Sequence, residues 1–312
     1  MIIAVASGKG GTGKTTVATS LAQSIAADGR LSAPSGAAER ARAQEASQPD
    51  QKLVFLDCDV EEPNAALFLQ PDLDDGQEVG ILIPDVDYDR CTFCGRCAEV
   101  CPWHAIAVVG RKVLVFPELC HGCGSCTLNC PEDAIHEVLH VMGVLESGPA
   151  GPISFGHGIL NVGEAMAVPI IRQLKARHMA DNDVDLAILD ASPGTSCPVV
   201  ETMRGADFVL LVTEPTPFGL HDLRLAAQVA RDELGLPVGV VVNRDGVGDT
   251  GVEEYCAAQD IPILMRIPID RRIAEAISGG QSLVEALPEY RPHFIQLYEQ
   301  ILGIVSSQEE RP

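Results

Sequence analysis

The 312-residue sequence predicts an α/β fold: a doubly wound, mostly parallel sheet with helices on both faces, interrupted by a small α+β insert. Three observations lead there. Short apolar runs alternate with helix-period segments over most of the length, the rhythm of strands joined by helical crossovers. A glycine-rich loop follows the first apolar run and opens a helical pattern. Eight of the eleven cysteines fall in one internally repeated stretch, 81–140. The chain therefore divides into 1–80 (first part of the sheet domain), 81–140 (the insert) and 141–312 (the rest of the sheet domain).

Taken in order, the strands are expected at Ile2 to Ala6, Leu53 to Leu56, Val141 to Leu145, Leu186 to Leu189, Phe208 to Val212, Val238 to Val242 and Ile263 to Ile267. Each is a short apolar run of the kind buried on both sheet faces. Helices are expected after Gly13, from Gly163 to Arg177, from Leu220 to Leu234, around Ile273 and from His293 to Val305. Arg30 to Gln51 is polar and alanine-rich without apolar periodicity, which reads as a solvent-exposed insertion. Asp72, Asp74, Asp75, Glu78, Asp85, Asp87 and Asp89 form an acidic approach to the cysteine stretch and read as a solvated linker.

Charge and composition exclude several function classes. With 22 basic against 44 acidic residues the net charge is −22, which repels a nucleic-acid backbone or an anionic membrane. No apolar run reaches the ~18 residues of a membrane span and no leader pattern is visible, so a cytoplasmic chain without stable membrane insertion is expected. Eleven cysteines in a reducing compartment point to metal or redox chemistry rather than disulfides. The C-terminal segment Phe294 to Leu302 has helical apolar spacing but lacks the basic face of a membrane-surface helix.

The loop Gly8-Lys9-Gly10-Gly11-Thr12-Gly13-Lys14-Thr15-Thr16 fits G-x-x-x-x-G-K-[ST], counted from Gly8 to Thr15. Glycines let backbone amides curl around phosphate oxygens. Lys14 then reaches the β- and γ-phosphates, and Thr15 offers its hydroxyl to Mg²⁺. Acidic residues close two later strands, in Asp57-Cys58-Asp59 and in Asp190-Ala191-Ser192-Pro193-Gly194, where each could hold Mg²⁺ or cap the next element.

In the insert, Cys91-x₂-Cys94-x₂-Cys97-x₃-Cys101-Pro102 recurs 29 residues later as Cys120-x₂-Cys123-x₂-Cys126-x₃-Cys130-Pro131. Zinc is the alternative ligand, but zinc sites do not need this spacing series. His104, His121 and His157 are expected in supporting or solvent-facing positions, the first two because their loops already hold enough thiolates. Of the remaining cysteines, Cys58 and Cys256 read as buried small hydrophobes, and Cys197 stays open.

Lys-Gly-Gly-x-Gly-Lys-Thr-Thr, with Lys9 early in the loop, resembles the deviant phosphate loop of the MinD, ParA, Mrp and nitrogenase iron-protein superfamily, and the cysteine series resembles two-cluster bacterial ferredoxins. The first resemblance implies a P-loop ATPase that binds ATP and Mg²⁺, with Lys9 reaching a partner chain's nucleotide. It further implies Asp57 and Asp190 near Mg²⁺, Asp59 orienting the attacking water, Gly194 offering an amide to the γ-phosphate and Asn243 near adenine. The second implies two [4Fe-4S] clusters, one on Cys91, Cys94, Cys97 and Cys130, the other on Cys101, Cys120, Cys123 and Cys126. Cys197 lies seven residues after Asp190, as does a bridging cluster ligand in the nitrogenase iron protein, but the earlier segment offers Ile159 where a second cysteine would be needed. Together these imply a homodimer, or a heterodimer with a related ATPase, that couples its nucleotide cycle to electron transfer or metallocofactor assembly on a receiving protein. An Mrp-like cluster carrier and a non-catalytic positioning protein with a redox-sensing insert are the other readings.

Overall fold

The computed structural model describes residues 1–29, 52–74, 76–179 and 184–309, so the expected insertion from Arg30 to Gln51 lies outside the described residues. Its strands are β1 (Ile2–Ala6), β2 (Leu53–Asp57), β3 (Gln77–Val86), β4 (Ile106–Val109), β5 (Lys112–Val115), β6 (Ile135–Ala150), β7 (Ile153–Leu160), β8 (Leu186–Asp190), β9 (Phe208–Thr213), β10 (Val238–Asp245) and β11 (Ile263–Pro268). The helices are α1 (Lys14–Asp28), α2 (Ala66–Leu69), α3 (Arg96–Glu99), α4 (Ser125–Leu128), α5 (Val168–Met179), α6 (Cys197–Met203), α7 (Pro217–Ala227), α8 (Gly251–Ala258), α9 (Arg271–Ser278), α10 (Leu283–Ala286) and α11 (Arg291–Glu309). Nine strands make one sheet, ordered β11-β10-β9-β1-β8-β2-β7-β6-β3, and β4 pairs separately with β5.

From β11 to β7 every pairing is parallel. The central strands β9, β1, β8 and β2 are buried on both faces, which is why they read as continuous apolar runs; β7, broken by Gly156-His157-Gly158, was not expected as a strand. On one face Val17, Leu21 and Ile25 of α1 pack beneath Phe294, Leu297 and Ile301 of α11. Helix α1 is thus enclosed between the sheet and α11, and each such side chain contributes about 1.5–3 kcal/mol by leaving water. On the opposite face Val199, Met203, Leu223 and Ala226 cover one half of the sheet, and Ile170, Ile171 and Leu174 cover the other.

The far edge departs from the expected rhythm. The strand expected at Val141 to Leu145 runs from Ile135 to Ala150 and is antiparallel to both neighbours, β3 and β7. Strand β3 takes in Glu78 and Asp85 of what read as an acidic linker; only Val79 and Pro84 of its ten residues are buried, and four others are exposed. The limits 81 and 140 therefore fall inside strands of the main sheet. A two-stranded ribbon carries the cysteine segment outward, and fewer than fifty residues lie between its ends at Val86 and Ile135.

Two helix starts also shift. Helix α5 begins at Val168 rather than Gly163, since Gly163 has φ +96° and Pro169 suits a first turn. Helix α7 starts at Pro217, capped by the Thr216 hydroxyl accepting from the Gly219 amide, and ends in a π-turn over Gln228–Glu233. Among the described residues no helix is long and apolar enough to cross a membrane.

Candidate functional site

The phosphate loop joins the end of β1 to the start of α1, so its amides sit at a helix N-terminus at the carboxyl edge of the sheet. Two glycines are obligatory there. A Cβ on Gly8 would lie 2.2 Å from the Asp222 carbonyl oxygen, and Gly13 has φ +92° with the Asn243 side-chain nitrogen 2.3 Å from its missing Cβ. Lys9, Gly10, Gly11, Thr12, Gly13, Lys14, Thr15 and Thr16 all line one open cleft, together with Asp59, Asn64, Phe68, Asn243 and Arg244.

Parallel pairing puts Asp57 of β2 beside Asp190 of β8, both fully buried. Lys14 Nζ donates to Asp190 Oδ1 at 3.2 Å. Burial works against the Lys14 charge, but Asp190, then Asp59 and Asp57, outweigh it and raise its pKa. Asp190 Oδ2 is buried without a hydrogen-bond partner, and so is the Thr12 hydroxyl. An orphaned carboxylate oxygen next to a cradle of amides suits a hydrated Mg²⁺ and a phosphate, the groups the loop chemistry calls for.

Asp57 behaves differently from the expectation of a metal contact. Its Oδ1 accepts from the Asp59 amide at 3.0 Å, and its Oδ2 accepts from the Asn64 and Ala65 amides at 2.9 Å each. It organises the loop that carries Asp59. Burial, reinforced by Asp190, pushes its pKa up to about 7. Asp59 is raised too, first by burial, against the pull of Lys14.

Two further residues are already engaged. The Gly194 amide, which the resemblance aims at a phosphate, donates to the Ser7 carbonyl at 2.9 Å. Asn243 donates from Nδ2 to the Thr12 carbonyl at 2.7 Å and accepts the Arg244 amide on Oδ1 at 2.9 Å. Here it braces the phosphate loop, and both ends of its amide are occupied. Sequence reasoning missed Glu214, which binds Lys9 and Arg244. The signal was present: an acidic residue directly after the apolar strand β9, as with Asp57 and Asp190.

The ribbon end holds a second constellation. One small cavity is lined in part by Cys91, Cys94, Cys97 and Cys130, and a second in part by Cys101, Cys120, Cys123 and Cys126. This is the same crossed division of the eight that the ferredoxin resemblance implies. The repeat is visible in the backbone as well. Phe93 and Gly122 share φ near +60° (58° and 62°), and so do His104 and Asp133 (54° and 51°). The Ala105 amide donates to Cys101 Sγ and the Ala134 amide to Cys130 Sγ, each at 3.3 Å.

The halves differ where the ribbon docks. Gly122 has φ +62° and would hold a Cβ tightly, with Ile81 Cβ and the Leu82 carbonyl oxygen both 3.2 Å away. Its counterpart Phe93 instead packs near Tyr88 and under Arg111. His121 stacks on Trp103 with ring centroids 3.7 Å apart, a supporting position. Among the described residues no three His, Cys, Asp or Glu side chains converge on a point that suits one metal ion. Four thiols around each cavity fit the donor set of a polynuclear cluster, with two amide-to-sulfur bonds in place to tune it.

Cys58 and Cys256 are buried, and burial pushes their thiols up to about 12 and about 11. Both are inert at neutral pH. Cys197 is exposed at the start of α6, whereas His157 is buried in β7 with Nε2 2.8 Å from Glu146.

Residues 3–284 match the CobQ/CobB/MinD/ParA nucleotide binding domain (CbiA). The chain belongs to this family. It is similar to the uncharacterized protein MJ0579 of Methanocaldococcus jannaschii, with 30% identity over 291 residues, 91% of this chain and 92% of the relative. A shorter likeness, 28% identity over 143 residues, joins 40% of the chain to 53% of the cytosolic Fe-S cluster assembly factor NUBP2 homolog of Trichoplax adhaerens. Two solved structures share the fold over 97% of this chain and 98% of theirs. The cell division ATPase MinD of Pyrococcus furiosus does so with TM-score 0.54 and 21% identity, and the MinD–Mg-ADP complex of Pyrococcus horikoshii with 0.54 and 20%. Membership in a nucleotide-binding family agrees with the position of the loop, Lys14 and Asp190 at one edge of the parallel sheet.

Proposed function

We propose that this family member is an ATP-binding and ATP-hydrolysing iron-sulfur protein that pairs with a second chain when ATP is bound, and that this pairing is coupled to electron transfer or metallocofactor assembly on a partner protein. One observation carries the reading. A single nine-stranded sheet holds the phosphate loop at its centre and, on its outermost ribbon, two cavities each ringed by four cysteines.

At the nucleotide site, Mg²⁺ when bound offsets phosphate charge. Lys14 and the loop amides hold the β- and γ-phosphates, Thr15 and Asp190 hold the ion, and Asp59 orients the attacking water from the loop that Asp57 fixes. In the insert, iron-sulfur clusters when bound exchange single electrons, and the eight thiolates hold them. The Cys-Pro series and the backbone repeat favour clusters over a lone zinc ion.

A structural path joins the two regions. Asp57 is in register with His157 of β7, His157 contacts Glu146 of β6, and β6 runs to Ile135 beside the first cavity. Rearrangement around Asp57 on nucleotide exchange therefore bears directly on the strand that carries the clusters. The likeness to an Fe-S cluster assembly factor, with Cys197 exposed, favours a second reading in which a labile cluster is cargo.

Anaerobic purification with iron counting and EPR tests the proposal and separates the readings. About eight firmly bound irons per chain, as two clusters of four, are expected. Additional labile iron that disappears on Cys197→Ala would support the carrier, and a preparation with stoichiometric zinc and no iron would overturn the iron-sulfur assignment.

A further inference from the structure

The phosphate loop contains two ammonium groups, and each rests on a carboxylate of its own chain. Lys14 lies on Asp190 at 3.2 Å and Lys9 lies on Glu214, with Nζ 3.3 Å from Oε2. The other oxygen of Glu214 accepts from Arg244 Nη1. Glu214 is only 10% exposed, whereas Lys9 is 32% and Arg244 54% exposed. A nearly buried carboxylate thus holds two cations that reach outward.

The position of Glu214 is fixed from several sides. It follows β9, which pairs with β1 just before the phosphate loop. Its carbonyl accepts the Thr216 amide at 2.8 Å and would meet a Cβ on Gly219 at 2.2 Å, so the turn admits no side chain there. Arg244 is tied through Asn243 to the Thr12 carbonyl. Glu214 therefore grips the loop at Lys9 and, through Arg244 and Asn243, at Thr12.

We propose that Glu214 is the positioning residue for Lys9, holding it on its own chain until the triphosphate of a second chain draws it across. This rests on the reading of Lys9 as a cross-chain contact. Two features suit Glu214 to the task. Lys9 is the more weakly held of its partners, a single ammonium at 3.3 Å, so a polyphosphate can outcompete it. Arg244 remains behind when Lys9 leaves, so the nearly buried carboxylate is not stranded without a cation. Transfer is then an exchange of one ion pair for another, and the carboxylate sets how much ATP-bound partner is needed to drive it.

Sedimentation velocity of the full-length chain with a non-hydrolysable ATP analogue tests this. Glu214→Gln removes the charge and should move half-dimerisation to a roughly tenfold lower protein concentration, while Glu214→Asp should restore wild-type behaviour. Lys9→Ala and Lys9→Ala/Glu214→Gln should fail to dimerise alike, so that the gain from Glu214→Gln is seen only where Lys9 is present. Circular dichroism melting shows that each variant is folded. Dimerisation of Glu214→Gln equal to or weaker than wild type, or an effect that persists without Lys9, overturns the role of Glu214. Dimerisation of Lys9→Ala equal to wild type overturns the cross-chain reading beneath it.

Discussion

The sheet domain and the cysteine insert are held together by different physics. Three extensive buried clusters cover the two faces of the large sheet, and most of their members exclude water completely. The insert has one small cluster, Cys97, Ile106, Val113 and Ile135, and four of its packing partners are Cys91, Cys101, Cys126 and Cys130. A segment of fewer than fifty residues buries too little apolar surface to order itself, and its cysteines stand where a core would otherwise be. The contrast teaches that the nucleotide-binding sheet is ordered by its own core, whereas on the proposed reading the insert depends on what its thiolates bind.

Removing iron should give the largest separation of the two regions. Chelation under anaerobic reducing conditions is expected to abolish amide protection between Val86 and Ile135 while leaving α1 and β1 protected, as read by hydrogen exchange. Equal protection of the insert with and without iron would erase the proposed difference. The reverse experiment is Leu21→Ala. Leu21 is fully buried between the sheet and α11, so the cavity should cost about 2–5 kcal/mol of global stability, measured by denaturant unfolding, without loss of iron from the native protein. Iron loss at the same denaturant concentration as sheet unfolding in every variant would show one cooperative unit instead of two.

A smaller effect tests the joint between the regions. His178 packs against Gly156 of β7, and burial, then Arg177 and Lys52, depress its pKa to about 4. The unfolded chain takes up a proton near pH 6.5 that the folded chain refuses until about 4. Stability is therefore fully present above pH 6.5 and declines as pH falls toward 4. His178→Gln should flatten that slope, by roughly 1–3 kcal/mol once solvent screening of the half-buried ring is allowed for. An unchanged slope would place the titration elsewhere.

Legibility from sequence follows the same division. The central parallel strands and the phosphate loop could be read because their constraints are local: continuous apolar burial, a turn that only glycine can make, a lysine at a helix start; β7, with Gly156, His157 and Gly158 in its run, was missed. The crossed grouping of the cysteines was implied by the resemblance that their spacing carries. Glu214 carried a local signal, an acidic residue at the end of an apolar strand, but its role was hidden because its partners, Lys9 and Arg244, come from distant segments and meet only in the fold. Strand β3 was hidden because a ribbon wet on most of its surface carries charges like a linker. Asn243 and Gly194 were expected at the nucleotide, and their hydrogen bonds to Thr12 and Ser7 depend on tertiary register that no local pattern reports.

The central claim is that nucleotide state and cluster state are coupled through the sheet that joins them. The most direct measurement is the ATPase rate of the anaerobically purified protein, compared between its oxidised and chemically reduced forms, with the EPR spectrum recorded in ATP and in ADP. The account predicts a rate that differs several-fold between the redox forms and a spectrum that changes with the nucleotide. A rate and a spectrum each indifferent to the other's state would contradict it.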